Sequence, residues 1–131
     1  MKKLLYLAFA VLAVSFIYSC KKARAKTGVE IVSVDEMKEL IKIDEVQIVD
    51  VRTKPEYQSG HIKDAQNIVY DENFEKNISS LDKSKPVVVY CQKGGRSAKC
   101  VKIMEEAGFT EIYDLKGGIS KWVYANESVE N

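Results

Sequence analysis

The residue best placed to do chemistry is Cys91. It follows directly on an apolar run, Pro86-Val87-Val88-Val89-Tyr90, and opens the segment Cys91-Gln92-Lys93-Gly94-Gly95-Arg96-Ser97, after which a helical pattern begins. A thiol at the carboxyl end of a strand, inside a glycine-rich turn, faces the N-terminus of the following helix. Consecutive backbone N–H groups at such a place form an anion site, and the same field lowers the pKa of a thiol. Gly94 and Gly95 let the backbone close tightly and leave room for a ligand. The chemistry this implies is attack by a thiolate on a small anion, with the amides of Gln92 to Arg96 as the cradle and no histidine needed as base.

Arg96 can engage two oxygens at once and suits an anion clamp; it can equally brace the loop by pairing with a carboxylate, and the two roles are compatible. Lys93 is either a point charge that attracts the anion or an ordinary solvated lysine. Spacing separates two chemistries. Cysteine phosphatases place an arginine six positions after the cysteine, whereas here Arg96 is five positions on and Ser97 holds the sixth. The shorter ring has less room for a phosphate ester.

Other reactive side chains offer less. His61 is the only histidine and sits beside Gly60 in a turn, where a structural role is expected. One histidine and two separated thiols supply no ligand cluster, so neither a metal nor another cofactor is expected. Cys100 lies well into the helix that follows the loop and is expected to be a small buried residue. Nine helical residues rise about 13 Å, so a bridge to Cys91 is not expected. Trp122 and Tyr124 are expected to pack the last helix.

Short apolar runs alternate with helical patterns, which favours an α/β domain: a mainly parallel five-stranded sheet flanked by helices on both faces. Strands are expected over 29–34, 46–51, 65–69, 87–90 and 112–115. Ser33-Val34-Asp35-Glu36 has the capping-box form that starts a helix, and Met37, Leu40 and Ile41 continue at helical spacing. Residues 52–60 read as a loop, with Pro55 early and Gly60 late. A helix is expected over 71–81, another over 97–107 closed by Gly108, and a last one from Gly117-Gly118 to about Asn126. Asp50 and Arg52 end the second strand on the same sheet edge as Cys91, the edge where ligands bind in such sheets.

The N-terminal part has a different character. Lys2 and Lys3 precede an uncharged, mostly apolar stretch, Leu4 to Tyr18, ending at Ser19-Cys20. This is a signal-peptide pattern over 1–19. Ile17-Tyr18-Ser19-Cys20 resembles a bacterial lipobox, which implies cleavage before Cys20 and its lipidation; Tyr18 departs from the small residue usual there. Residues 20–28 then form a basic tether suited to an anionic bilayer, the domain spans 29–126, and 127–131 is a polar tail. The expectation is an exported, membrane-anchored lipoprotein of the bacterial envelope, on the periplasmic side. Of the 20 Lys and Arg, six lie before residue 29, while all 19 acidic residues follow it. A net acidic domain argues against nucleic acid as partner.

The motifs together resemble the rhodanese homology domain. They are Ile48-Val49-Asp50-Val51-Arg52, Glu56-Tyr57, Gly60-His61-Ile62, Ala65-Gln66-Asn67-Ile68, Val89 to Ala98, Glu106-Ala107-Gly108-Phe109, and Leu115-Lys116-Gly117-Gly118-Ile119 with Trp122. The nearest likeness is to single-domain rhodaneses. The resemblance implies a sulfurtransferase that takes sulfane sulfur from thiosulfate or a related anionic donor onto Cys91 as a persulfide and hands it to a thiophilic acceptor. A thiol-redox or sulfur-carrier protein is a compatible partner. It also implies that Asp50 and Arg52 brace the active loop, with an arginine of the loop the expected partner of Asp50, and that Ser97 supports the loop from behind. The alternative from another class is a non-catalytic persulfide-carrying or protein-interaction module on the same fold.

Overall fold

The computed structural model describes residues 28–131. The expected signal segment, the lipidated Cys20 and most of the basic tether lie outside the described residues.

Five strands are laid down in chain order: β1 (Gly28–Val32), β2 (Gln47–Asp50), β3 (Gln66–Asn67), β4 (Val87–Tyr90) and β5 (Glu111–Leu115). They form one sheet in the order β1-β5-β4-β2-β3, and every pairing is parallel. β4 is central, and Val87, Val88, Val89 and Tyr90 are all fully buried. Its unbroken apolar run is what a strand covered on both faces requires. Each such side chain contributes about 1.5–3 kcal/mol by leaving water.

Alternation along the strands sorts the core into two layers. On one face Val49, Val87, Val89, Cys91 and Ile112 pack against Phe74, Ile78, Cys100, Val101 and Met104. These come from α3 (Phe74–Asn77), the 3₁₀ turn Ile78–Ser80 that continues it, and α4 (Gly95–Glu106). On the other face Ile48, Val88, Tyr90, Tyr113 and Leu115 meet Met37, Ile119 and Trp122, from α1 (Val34–Leu40) and α5 (Gly118–Tyr124). Helices therefore flank both faces, as the alternation of elements implied.

The capping box at Ser33 forms in full: the Glu36 amide donates to the Ser33 hydroxyl, and the Ser33 amide donates to the Glu36 carboxylate at 2.7 Å. The same device overturns the loop expected over 52–60. Thr53 and Glu56 make a second capping box, Pro55 sits in the first turn, and Lys54–Gln58 is a short helix, α2. Proline is at home there because the first-turn amide has no helical partner to lose. The helix expected over 71–81 is instead two short pieces, broken where the Ser79 hydroxyl donates to the Lys76 carbonyl and the Ser80 hydroxyl to that of Asn77. Tyr124, expected to pack, is 83% exposed, with the Lys121 ammonium over its ring; Trp122 is buried and donates to the Ser128 carbonyl. The expected polar tail is a strap: His61 and Glu130 exchange two backbone hydrogen bonds.

Candidate active site

Cys91 leaves β4 at the carboxyl edge of the sheet and α4 begins four residues later. The turn between them is made possible by Gly94, whose φ of +108° an L side chain rarely adopts. That conformation turns the Gly94 N–H onto Cys91 Sγ, 3.0 Å away. The Lys93 and Ser97 amides add to the field at the sulfur, and Cys91 Sγ lies 3.6 Å from the Ser97 hydroxyl. Burial, the largest single influence, pushes the thiol up; the Ser97, Gly94 and Lys93 donors outweigh it and hold Cys91 below the ordinary thiol range. Lys93 thus contributes through its backbone, while its side chain is exposed. Gly95 opens α4 and is exposed as well.

The loop is held by two separate ion pairs. Arg52, 3% exposed, meets the fully buried Asp50 through Nε and Nη2, the latter at 2.8 Å. Its Nη2 also donates to the Gly60 carbonyl and its Nη1 to Gln92 Oε1. Gln92 Nε2 in turn donates to Ser120 on α5 at 3.0 Å. Asp50 and Arg52 therefore brace the active loop through Gln92, and the partner of Asp50 is Arg52, not an arginine of the loop as expected. Short range decides this: two residues apart at a strand end, Arg52 reaches the carboxylate without crossing the sheet.

Arg96 takes the loop-bracing role. Its two terminal nitrogens bond both oxygens of Glu56 at 2.8 and 2.9 Å, so the fork that would clamp an anion is engaged by α2. Glu56 falls from its ordinary 4.5 to about 2, chiefly through the Arg96 hydrogen bonds, with Thr53 adding two more. Reading residues 52–60 as a loop hid this partner; the T-x-x-E spacing of Thr53 and Glu56 was the signal for it.

α5 presses on the loop from the other side. The Ile119 amide donates to the Cys91 carbonyl and the Ser120 amide to that of Gln92. Gly118, at φ +62°, has no room for a Cβ: one built there overlaps the Cys91 carbonyl oxygen and lies 2.6 Å from the Gln92 carbonyl. Ser97, expected among the residues that support the loop, is fully buried and donates to Asp114 of β5 at 2.7 Å. Asp114 is a second residue that the sequence reading passed over. Its signal was position: it shares a face with Ile112 in a strand otherwise apolar on that side.

His61 stacks on Tyr57 with ring centroids 3.8 Å apart, and its Nδ1 faces the Tyr57 carbonyl. Both contacts are to Tyr57 of α2, as a packing role requires. Cys100 is fully buried and both it and Cys91 are free thiols; burial first, then the neighbouring Cys91, push the Cys100 thiol up to about 12. An open cleft of about 400 Å³ adjoins the loop, lined by Arg52, Gly60, Gln92, Ile119, Ser120 and Val123 among others. A larger one of about 690 Å³ beside β3 includes no residue of the loop.

Comparison with known proteins agrees with this geometry. Residues 33–125 match the family model described as rhodanese-like domain. Over 94 residues the chain is 36% identical to a thiosulfate sulfurtransferase, GlpE, of Shewanella oneidensis, covering 72% of this chain and 92% of that protein. It is 40% identical over 76 residues to the uncharacterized protein YqhL of Bacillus subtilis, covering 58% of this chain and 60% of the other. The crystal structure of a rhodanese-related protein from Thermoplasma volcanium superposes with a TM-score of 0.70 at 28% identity, over 77% of this chain and 97% of that one. The chain belongs to the rhodanese-like domain family.

Proposed function

We propose that the domain is a sulfurtransferase that moves sulfane sulfur from thiosulfate, or a related small anionic donor, to a thiophilic acceptor. The observation that carries this reading is the main-chain field at Cys91 Sγ: the Gly94 N–H lies 3.0 Å from it, and the Ser97 and Lys93 amides add to its effect. They favour the thiolate and place positive field where an oxyanion approaches. The Cys91 thiolate attacks the outer sulfur of thiosulfate; the S–S bond of the donor breaks and sulfite leaves with the electron pair. Cys91 then carries a persulfide, whose outer sulfur the acceptor attacks, returning the thiolate. The similarity to a protein named thiosulfate sulfurtransferase supports the choice of donor.

Arg96 serves this cycle from its place on Glu56, as a nearby positive charge whose field reaches Cys91. Near-complete burial of Cys91 suits a donor that offers one protruding sulfur over a bulky phosphate ester. Thiosulfate-dependent formation of thiocyanate from cyanide tests the activity, and mass spectrometry after thiosulfate exposure should find one extra sulfur at Cys91. An activity no higher than that of Cys91→Ser would leave the interaction-module reading. We further propose, from the pattern at Ile17 to Cys20, that the domain is tethered by a lipidated Cys20 to the periplasmic side of a bacterial membrane. An intact Met1 or an unmodified Cys20 in protein isolated from membranes would remove that placement.

A further inference from the structure

Beneath Cys91 lies a chain of three side chains that the sulfur-transfer reading does not use. The Cys91 thiol points at Ser97 Oγ at 3.6 Å, and Ser97 Oγ donates to Asp114 Oδ1 at 2.7 Å. Asp114 is paired in register with Val89 and with Ile31, on the face of the sheet that α4 covers. Only 8% of it is exposed, and the Ser97 hydroxyl is its hydrogen-bond donor among the described residues. A carboxylate so placed, with no cation against it, is costly to ionise.

The charged groups nearby are already committed. Arg96 is paired with Glu56, Asp50 with Arg52, and the Cys100 thiol on α4 is neutral. That leaves two acids, about 6 Å apart along the hydroxyl path, with one serine between them. Both cannot be negative cheaply in a buried setting.

We infer that Cys91 and Asp114 share a single proton through Ser97, which makes Asp114 a positioning residue for the nucleophile. The transfer is balanced within the three residues. As the S–H bond breaks, its proton passes to Ser97 Oγ and the proton of Ser97 passes to Asp114 Oδ1. Negative charge moves from carboxylate to sulfur, and the reverse transfer neutralises Cys91 when it is released from the persulfide. Burial raises the Asp114 carboxyl, in keeping with its holding a proton. The inference rests on Cys91 being the reactive thiol, but its test needs no sulfur transfer.

The experiment reads the thiol and the carboxyl separately in the folded protein. Iodoacetamide alkylation of Cys91 against pH should rise in two steps in the parent protein, since thiolate appears first by sharing and then by loss of the second proton. In Asp114→Asn the profile should collapse to one step, with its midpoint about one to two pH units below the parent's second step as the like charge is removed. Ser97→Thr should keep the two steps and Ser97→Ala should lose them. The Asp114 carboxyl ¹³C shift supplies a readout with Asp114 itself intact: it should titrate in two steps in the parent and in one in Cys91→Ser. An unmoved or raised midpoint in Asp114→Asn, or a single Asp114 titration in the parent, overturns the shared proton even if thiosulfate is turned over normally. A protein that shows the shared proton but makes no thiocyanate would instead refute the proposed activity.

Discussion

Replacing Glu56 by Gln isolates the latch between α2 and the active loop. Glutamine keeps the shape and one acceptor, so the Thr53 cap and one Arg96 contact survive while the charge is lost. The fall of the Glu56 carboxyl from 4.5 to about 2 is worth about 3 kcal/mol at face value. Both partners are about a third exposed, 34% and 33%, and solvent screening cuts this to about 1–1.5 kcal/mol. The sign follows from linkage: a carboxylate with a depressed folded-state pKa stabilises the native state above its unfolded value, and that contribution is lost as pH falls towards about 2. Urea unfolding of the parent and of Glu56→Gln should therefore differ by about 1–1.5 kcal/mol at pH 7, with more than half of the gap gone by pH 3. High salt should narrow it as well. A gap that stays constant from pH 7 to pH 3 would mean that Glu56 acts through its shape and its cap on Thr53, and would refute the electrostatic account of the latch.

Other outcomes follow from the same geometry. The first step of Cys91 alkylation by iodoacetamide should fall below about pH 8.5, and Cys100, pushed up to about 12, should stay unmodified at neutral pH; equal labelling of both thiols would contradict the amide cradle. Gly118→Ala should cost about 3 kcal/mol or more, since it adds a left-handed alanine and a clash with main chain, and Cys91 reactivity should fall with it. At Gly117 (φ +76°) the obstacle is the Lys121 side chain, whose Cγ must swing aside, so alanine should cost about 2 kcal/mol, the left-handed penalty plus that displacement; thermal unfolding of the two variants checks the contrast. Asp50→Asn leaves a guanidinium that is 3% exposed beside a neutral partner, and should destabilise by about 3 kcal/mol, visible as a lower urea midpoint.

Some of this molecule was legible without its structure because the forces that decide it act over a few residues. The unbroken run Val87 to Tyr90 names a strand covered on both sides, and Ser33 with Glu36 names a helix start; both form as read. The loop from Cys91 to Ser97 is likewise local. A glycine at a position requiring φ of +108°, a helix about to begin and a thiol before both are enough to aim amides at sulfur. Where the reading went astray, a local signal had been overlooked. Thr53 and Glu56 repeat the device of Ser33 and Glu36, and Pro55 fits the first turn of a helix as well as it fits a loop.

The partners of charged groups are a different matter. That Arg96 meets Glu56, forty residues away in the chain, and that Arg52 reaches Gln92 follow from where α2 and β2 come to rest beside the loop. The strand order β1-β5-β4-β2-β3 places Asp114 next to Val89, and so behind Ser97. Spacing along a chain records helix and strand periodicity, which are short-range properties of the backbone. Which carboxylate faces which hydroxyl depends on strand order and register, and these are settled only when the whole sheet packs. The chain's local order was enough to mark Cys91 and the glycine turn that brings a backbone N–H onto its sulfur; what braces that turn and what lies beneath the sulfur came only from the packing of distant segments.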